Sequence, residues 1–440
     1  MTADPWAPYR PTPADPWTLT KVGHLHRRAG FGAGWDELQR DLDAGPDAAL
    51  DRVLAGGTDP DADTTSDYLS SERSLPAGAD TGTLAAWWLA RILRSPHPLR
   101  EKLTLFWHGH FATSHAKVRN ARLMLGQYRL LHRFALGDFR ELLRAMATDP
   151  AMLVWLDGAG SVAGKPNENY ARELMELFAL GIGHYTEFDI REAAKAFTGW
   201  DVRGGVAVLN QKRHDAGDKV VFGRTGKFGP DEVTRLVLDK RESHRFVCQK
   251  LYRFLVSDTA EPTPDLLDPL AEGYAASGFD TGKLVETVLR SRHFFSSAAY
   301  RQKVKSPVEF AVGLVRGVGG TVGAKPLAEA VEPLGQVLFA PPSVKGWDGG
   351  PAWLNAQTLL ARQNLALAMC TGEDARFRRC DPATLTADPL DVFLQGDVPA
   401  ATRDRLATAP PPKPKPYQPA TDPKRARAAL VLTLPEFQLN

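Results

Sequence analysis

The sequence predicts a mainly α fold: a large multi-helix body with a small β-hairpin excursion. Three observations carry that expectation. Apolar residues recur on a helical period in segment after segment from residue 20 onward. The period fails over 202–226, where VAVLN and KVVFG read as two short strands around the turn HDAGD. A chain of 440 residues with 43% apolar residues can also bury at least one large core.

Residues 1–19 form a Pro-rich extended arm whose Trp6, Tyr9 and Trp17 are expected to dock on the body. The helical domain is placed at 20–370, and over 36–54 its Leu38, Leu42 and Leu50 share one period. Residues 56–82 are acidic and rich in Gly, Ser and Thr, which reads as a surface loop. A buried helix over 84–93 ends at the breaker SPHP of 95–98. A helical stretch over 120–148 then leads through Asp149 and Pro150 to a block of dense ionisable residues at 164–200, and the strands follow. Helical patterns resume at 231–238, 242–256, 266–277, 282–290 and 307–318, and again at 354–369 after the turn-rich APPSVKGWDGGPAW of 340–353. The C-terminal segment, 371–440, contains a Pro-rich linker at 410–423, expected to be polyproline-like, and an apolar end expected to pack back on the body.

The charge balance of 54 basic against 52 acidic residues supplies no basic stripe, which argues against counterion-driven binding of nucleic acid. Cys248, Cys370 and Cys380 are an odd, widely spaced set, so free thiols and a reducing compartment are expected. No basic region followed by an apolar run opens the chain and no apolar stretch reaches spanning length, so a cytoplasmic protein without a membrane span is expected. The GxSxG, HExxH, dinucleotide and CxxCH patterns are absent, which removes the common hydrolase, zincin, Rossmann and cytochrome readings.

Three constellations remain that could carry chemistry. On an α-helix, Glu168, Asn169, Arg172, Glu173 and Glu176 fall within an arc of about 140°, opposite Tyr170, Leu174, Met175 and Phe178. A solvated face is one reading of that arc; a covered one, in which carboxylates and an arginine need metal, substrate or tight pairing, is the other. Ala179 and Leu180 fall inside the same arc and Gly181 and Gly183 end the helix beside His184, which favours cover. In REKLTLFWHGHF, His110 lies on the apolar arc as a hydrogen-bonded core histidine, whereas His108 lies nearly opposite and is the candidate ligand or general base. In RHDAGDK, His214, Asp215 and Lys219 crowd a Gly-containing turn that suits either backbone geometry or an anion clamp. Lys165, with Asn167 as a helix N-cap, adds a second place where an anion could sit.

The wording NENYARELMELFALGIGHYTE resembles the signature of a bacterial family, domain of unknown function 1800. The likeness extends to HLHRRAGFG, REKLTLFWHGHFATS, RHDAGDK, FVCQKLYRFLV and GQVLFAPPSVKGW, in order over most of the chain. The family has no settled activity, and its members often look exported. Two functions are compatible with it. In the first, an enzyme cleft uses His108, Glu173, Glu176, His214 and Asp215 as catalytic groups, with His108, Glu173 and His184 on a divalent metal. Lys165, Asn167, Asn169, Arg172 and Lys219 hold an anionic or polyhydroxyl substrate, for metal-assisted hydrolysis or transfer. A metal-free phosphoryl or glycosyl transfer site would draw on many of the same residues. In the second, suggested by the company that family members keep, the protein is a non-catalytic binding or assembly partner of an alkaline-phosphatase- or sulfatase-like protein.

Overall fold

The structure is a computed structural model that describes residues 4–57, 75–76, 78–371, 374–408 and 422–440. Most of the expected 56–82 loop and of the 410–423 linker therefore lies outside the described residues. The chain is 59% helical, and its strands form two small antiparallel pairs.

Both β pairs differ from the expected one. Strand β1 (Trp200–Arg203) pairs with β2 (Val206–Leu209), and β3 (Lys219–Val221) with β4 (Arg224–Gly226). VAVLN and KVVFG thus belong to different hairpins rather than facing each other across HDAGD. The reason lies in the turns. Two-residue hairpin turns need positive φ at their centres, and Gly204–Gly205 (58° and 86°) and Phe222–Gly223 (51° and 73°) supply it.

The helix Pro98–His110 is the wall between two hydrophobic clusters. Leu99, Leu103, Phe106 and Trp107 face a cluster that includes Phe111, Phe139 and Phe178, while Leu105 faces one that includes Trp88, Phe310 and Phe437. A helix buried all round must satisfy its polar side chains internally. Glu101 accepts hydrogen bonds from the Trp88 indole (2.9 Å) and the Tyr128 hydroxyl (2.8 Å). Lys102 donates to the carbonyls of Arg27 (3.2 Å) and Gly30 (2.7 Å) and to the Glu309 carboxylate.

Glu309 is where distant segments meet. It opens the helix Pro307–Val318 in a capping box with Ser306, and it accepts from the Ser306 N–H (2.7 Å) and from Lys303 (3.1 Å) as well as Lys102. Burial alone would raise its pKa, but Lys102 and Lys303 hold it far below the usual carboxylate range. Burial in turn pulls Lys102 down to about 8.

Both ends of the described chain are sewn to this body. Trp6 donates to Leu266 O (2.8 Å) and Tyr9 N–H to Arg290 O (2.7 Å), so two of the arm's aromatics dock as expected. At the other end Asn440 N–H donates to Lys303 O (2.7 Å), and the helix Pro423–Leu432 packs into the second cluster. Near the first helix, Asp41 ties three helices together. Burial would raise its pKa, but hydrogen bonds from His26, Arg40 and Arg52 hold it well below normal.

Replacing Glu309 by Gln leaves several buried cations without their carboxylate and is expected to cost about 3–5 kcal/mol, read by urea denaturation. The stability supplied by the depressed carboxyl is complete above its unfolded pKa of about 4 and is lost as pH falls below it. The variant's acid limb below pH ~4 should therefore be shallower than that of the wild type.

Candidate functional site

The ionisable block begins as an α-helix, Asn169–Glu173, and continues as a π-helix, Leu174–Ala179. A π turn holds about one residue more than an α turn, so it rotates the residues beyond it by roughly 100°. That rotation carries Ala179 and Leu180 out of the polar arc and into the core, where both are buried. The helix ends at Ala179, so its last carbonyls are left without ladder partners. Leu177 O accepts from Lys250 Nζ (2.9 Å), and Phe178 O from His110 Nε2 (2.9 Å).

On the polar face, Arg172 makes a bidentate pair with Glu187 (2.8 Å each) and reaches Glu168 (3.2 Å). Glu176 accepts from the Tyr185 hydroxyl (3.0 Å). Glu173 is half-buried; burial and the neighbouring Glu176 raise its pKa, while Arg172 and Lys345 oppose them.

The other residues singled out in the sequence are placed apart from this face. His108 is fully buried, accepts from Phe339 N–H at Nε2 (3.1 Å), and is pushed down to about 3 by burial, so it stays neutral. His184 is exposed in the turn carried by Gly181 and Gly183. His214 turns Nδ1 to Thr198 O (2.9 Å), and Asp215 N–H donates to the Thr198 hydroxyl (2.8 Å). Lys219 is buried and donates to the carbonyls of Asp215 (2.8 Å) and Gly217 (2.9 Å), which makes the RHDAGDK loop a self-latched structure.

Asn167 donates to Leu156 O (3.2 Å) and Asp157 O (3.0 Å) and accepts from Asn169 N–H (2.9 Å), while Asn169 also donates to Leu156 O (3.3 Å). These two asparagines close the end of the helix Pro150–Trp155. Lys165 is exposed in an adjoining turn. His108, Glu173 and His184 share no partner. Among the described residues, no group of three or more His, Cys, Asp or Glu side chains is placed to hold a metal ion.

What the fold does assemble is a cleft of about 440 Å³ between the end of Pro98–His110, the helix Arg241–Leu255 and the turn at 345–353. Lys250, Arg253, Lys303 and Lys345 line it, with Asp258 and Asp348. Lys345 and Asp348 are exposed and form no ion pair among the described residues. Burial, reinforced by Arg253, lowers Lys250 to about 8. Asp258 accepts from Val304 N–H (3.2 Å) at one oxygen and leaves Oδ1 buried without a partner. Burial raises its pKa against the pull of Lys303 and Arg28.

His110 is also in the wall, with Nε2 committed to Phe178 O, Nδ1 unpartnered, and a pKa held well below normal by burial and Lys250. Of the four cations in its lining, Arg253 is paired with Glu261 and Lys303 with Glu309, which leaves Lys250 and Lys345 open to a ligand, beside two proton acceptors. Its wall is fixed by close backbone approach: Gly346 has φ of 79°, and a Cβ there would lie 2.2 Å from Gly109 O.

Lys250, Arg253, Lys303, Lys345, Asp258 and Asp348 were not among the residues that helical arcs single out. The signal was present in the position of Lys250 beside buried Leu251 in FVCQKLYRFLV, and of Lys345 in the glycine turn VKGW. A family model described as Protein of unknown function (DUF1800) matches residues 24–439. No curated protein and no solved structure matches the chain.

Replacing Gly346 by Ala should push the 345–353 turn off Gly109 and cost about 1–3 kcal/mol in a urea titration, with a changed tryptophan emission because Trp347 moves with it.

Proposed function

The chain belongs to the DUF1800 family, and from that membership and the cationic cleft we propose that the protein binds, and acts upon, an anionic substrate held between Lys250, Arg253, Lys303 and Lys345. One observation carries this reading: cationic side chains from three separate segments converge on one concave site, and two of them, Lys250 and Lys345, have no carboxylate paired with them among the described residues. Charge of one sign in a cleft with low-dielectric walls attracts ions of the other. The buried cations behind Lys303 add to that field.

Hydrolysis or group transfer on an anionic or polyhydroxyl substrate is the reaction class that fits. Asp258, whose carboxyl is raised toward neutrality and keeps one oxygen free, is placed to exchange a proton with a substrate hydroxyl or leaving group. Lys345 on the cleft rim is near enough to Glu173 of the polar helix face to oppose the rise that burial gives its pKa.

A second reading, a binding or assembly role beside a phosphatase- or sulfatase-like protein, is favoured by one feature. The helix Ala356–Thr371 exposes Leu359, Leu360 and Leu367. It predicts a stable complex with that partner that survives removal of the cleft cations. As for location, no helix among the described residues is long and apolar enough to cross a membrane.

Inorganic tripolyphosphate should bind with a saturable change in tryptophan emission, more weakly as salt is raised. Lys250→Gln combined with Lys345→Gln should weaken it at least ~10-fold, about 1.4 kcal/mol; unchanged affinity would retire the cleft. In a separate measurement at pH 8, pyridoxal phosphate followed by borohydride should mark Lys250 ahead of exposed lysines, because more of it is unprotonated. Tripolyphosphate should protect it, and even labelling of all lysines, read by peptide mass, would count against the site.

A further inference from the structure

We propose that the ligand of the cleft is an acidic saccharide, one or more sugar rings laid against Trp347 and Trp353 with a carboxylate or sulfate directed to Lys345 and Lys250. This rests on the anionic-substrate reading above and names its substrate class.

Four tryptophans elsewhere spend their donors internally, and Trp87, Trp155 and Trp200 keep theirs buried and unpartnered among the described residues, out of reach of a ligand. Trp6, Trp17, Trp88 and Trp107 use their indole N–H groups on Leu266 O, Asp41 O, Glu101 and Ala135 O. Trp347 and Trp353 are only half-buried, both line the cleft, and neither indole N–H is buried or hydrogen-bonded among the described residues. Each offers an apolar ring and a free donor to whatever enters.

Their placement is built. Gly349 and Gly350, at φ of 75° and 53°, turn the chain between the two rings, and a short 3-10 helix, Gly350–Trp353, completes the turn. Behind Trp347, the buried His108 ring packs with centroids 5.6 Å apart, which keeps the indole from turning inward. A Cβ on Gly350 would come within 3.4 Å of the Asp258 carboxyl, so this turn also seats the aromatic wall against the acid.

The remaining polar groups suit hydroxyls better than phosphates. Gln336 is 4% exposed, accepts from Val308 N–H (3.1 Å) at Oε1, and leaves its amide donors without a partner among the described residues. Asp258 Oδ1 is an unpartnered buried acceptor, and Asp348 is a second carboxylate on the rim. A densely charged polyanion is drawn by the cations alone and gains nothing from these two carboxylates. A sugar meets them as hydroxyl donors, gives its C–H face to the indoles, and needs cations only for its scattered acidic groups. Rings, donors, acceptors and cations thus match a ligand that is both polyhydroxyl and anionic.

Calorimetric titration of the full chain tests this with tetragalacturonate, a heparin-derived tetrasaccharide, neutral cellotetraose, adenosine monophosphate and tripolyphosphate. At least one acidic tetrasaccharide should bind, and cellotetraose at least ~10-fold more weakly, about 1.4 kcal/mol. Trp347→Ala with Trp353→Ala should lower the acidic saccharide's affinity by a similar factor and leave tripolyphosphate within about twofold. If adenosine monophosphate or tripolyphosphate binds and neither acidic tetrasaccharide does, the saccharide inference is overturned while the anion cleft stands. If none of the five binds, both fall.

Discussion

Arg27, Arg28, Lys102, Lys303, Lys305 and Arg362 are all buried around the carboxylate of Glu309. Such a concentration of like charge inside a protein is tolerable only where each group is hydrogen-bonded and at least one counter-charge is fixed among them. Glu309 is that counter-charge. It accepts from Lys102 on the dividing helix, far away in the chain, and from two near neighbours, Lys303 and the Ser306 N–H at its own helix start. Lys102 extends the same knot to the Arg27 and Gly30 carbonyls, and Arg362 reaches it through Lys305 O (2.8 Å). An apolar core would hold these helices together equally well. The ionic knot adds register, because one misplaced helix would strand a charge in the interior.

The knot and the cleft are one electrostatic object. Lys303 belongs to both: its ammonium pairs with Glu309, and it lines the cleft wall. Arg28, whose Nε and Nη1 have no partner and whose pKa burial brings down to about 9, faces Asp258 from behind. Positive charge of the interior thus borders this cleft, and the desolvated Lys250 lines it. The π turn completes the wall from the other side. The helix ends there, and its terminal carbonyls Leu177 O and Phe178 O give Lys250 and His110 fixed acceptors, so both side chains are held in place before any ligand arrives.

The helical body was legible because period and breakers agree along most of the chain. The helices capped by Asn120 and Ser306 begin where the pattern places them, and Trp6 and Tyr9 dock as large aromatics in an arm should. The hairpins were misread because HDAGD carries a stronger turn composition than Gly204–Gly205 or Phe222–Gly223, although positive φ at two successive residues is what a tight hairpin needs. The central block was half legible. A fixed 100° step placed Ala179 and Leu180 among the charges, and that contradiction was itself the trace of the π turn. The cleft was least legible, since its cations come one or two at a time from segments brought together only by folding, each among apolar neighbours.

Several of the polar residues that stand out in the sequence do architectural work here. Asn167 and Asn169 close a helix end, His214 and Lys219 latch a loop, and His108 backs a tryptophan. Each of these is polar because a buried backbone group needs a partner, or a ring needs support. Unpartnered polar atoms also lie scattered through the interior, on Trp87, His97, Tyr170 and Trp200 among others; those gathered on one concave surface are the informative ones. Asp258 Oδ1, the amide of Gln336, the indole N–H groups of Trp347 and Trp353, and the ammonium of Lys345 have no internal partner among the described residues, and all of these side chains line the same cleft. Unspent hydrogen-bonding capacity, gathered at one concave place and held there by Gly346 against Gly109, is the physical mark that separates a site from a scaffold.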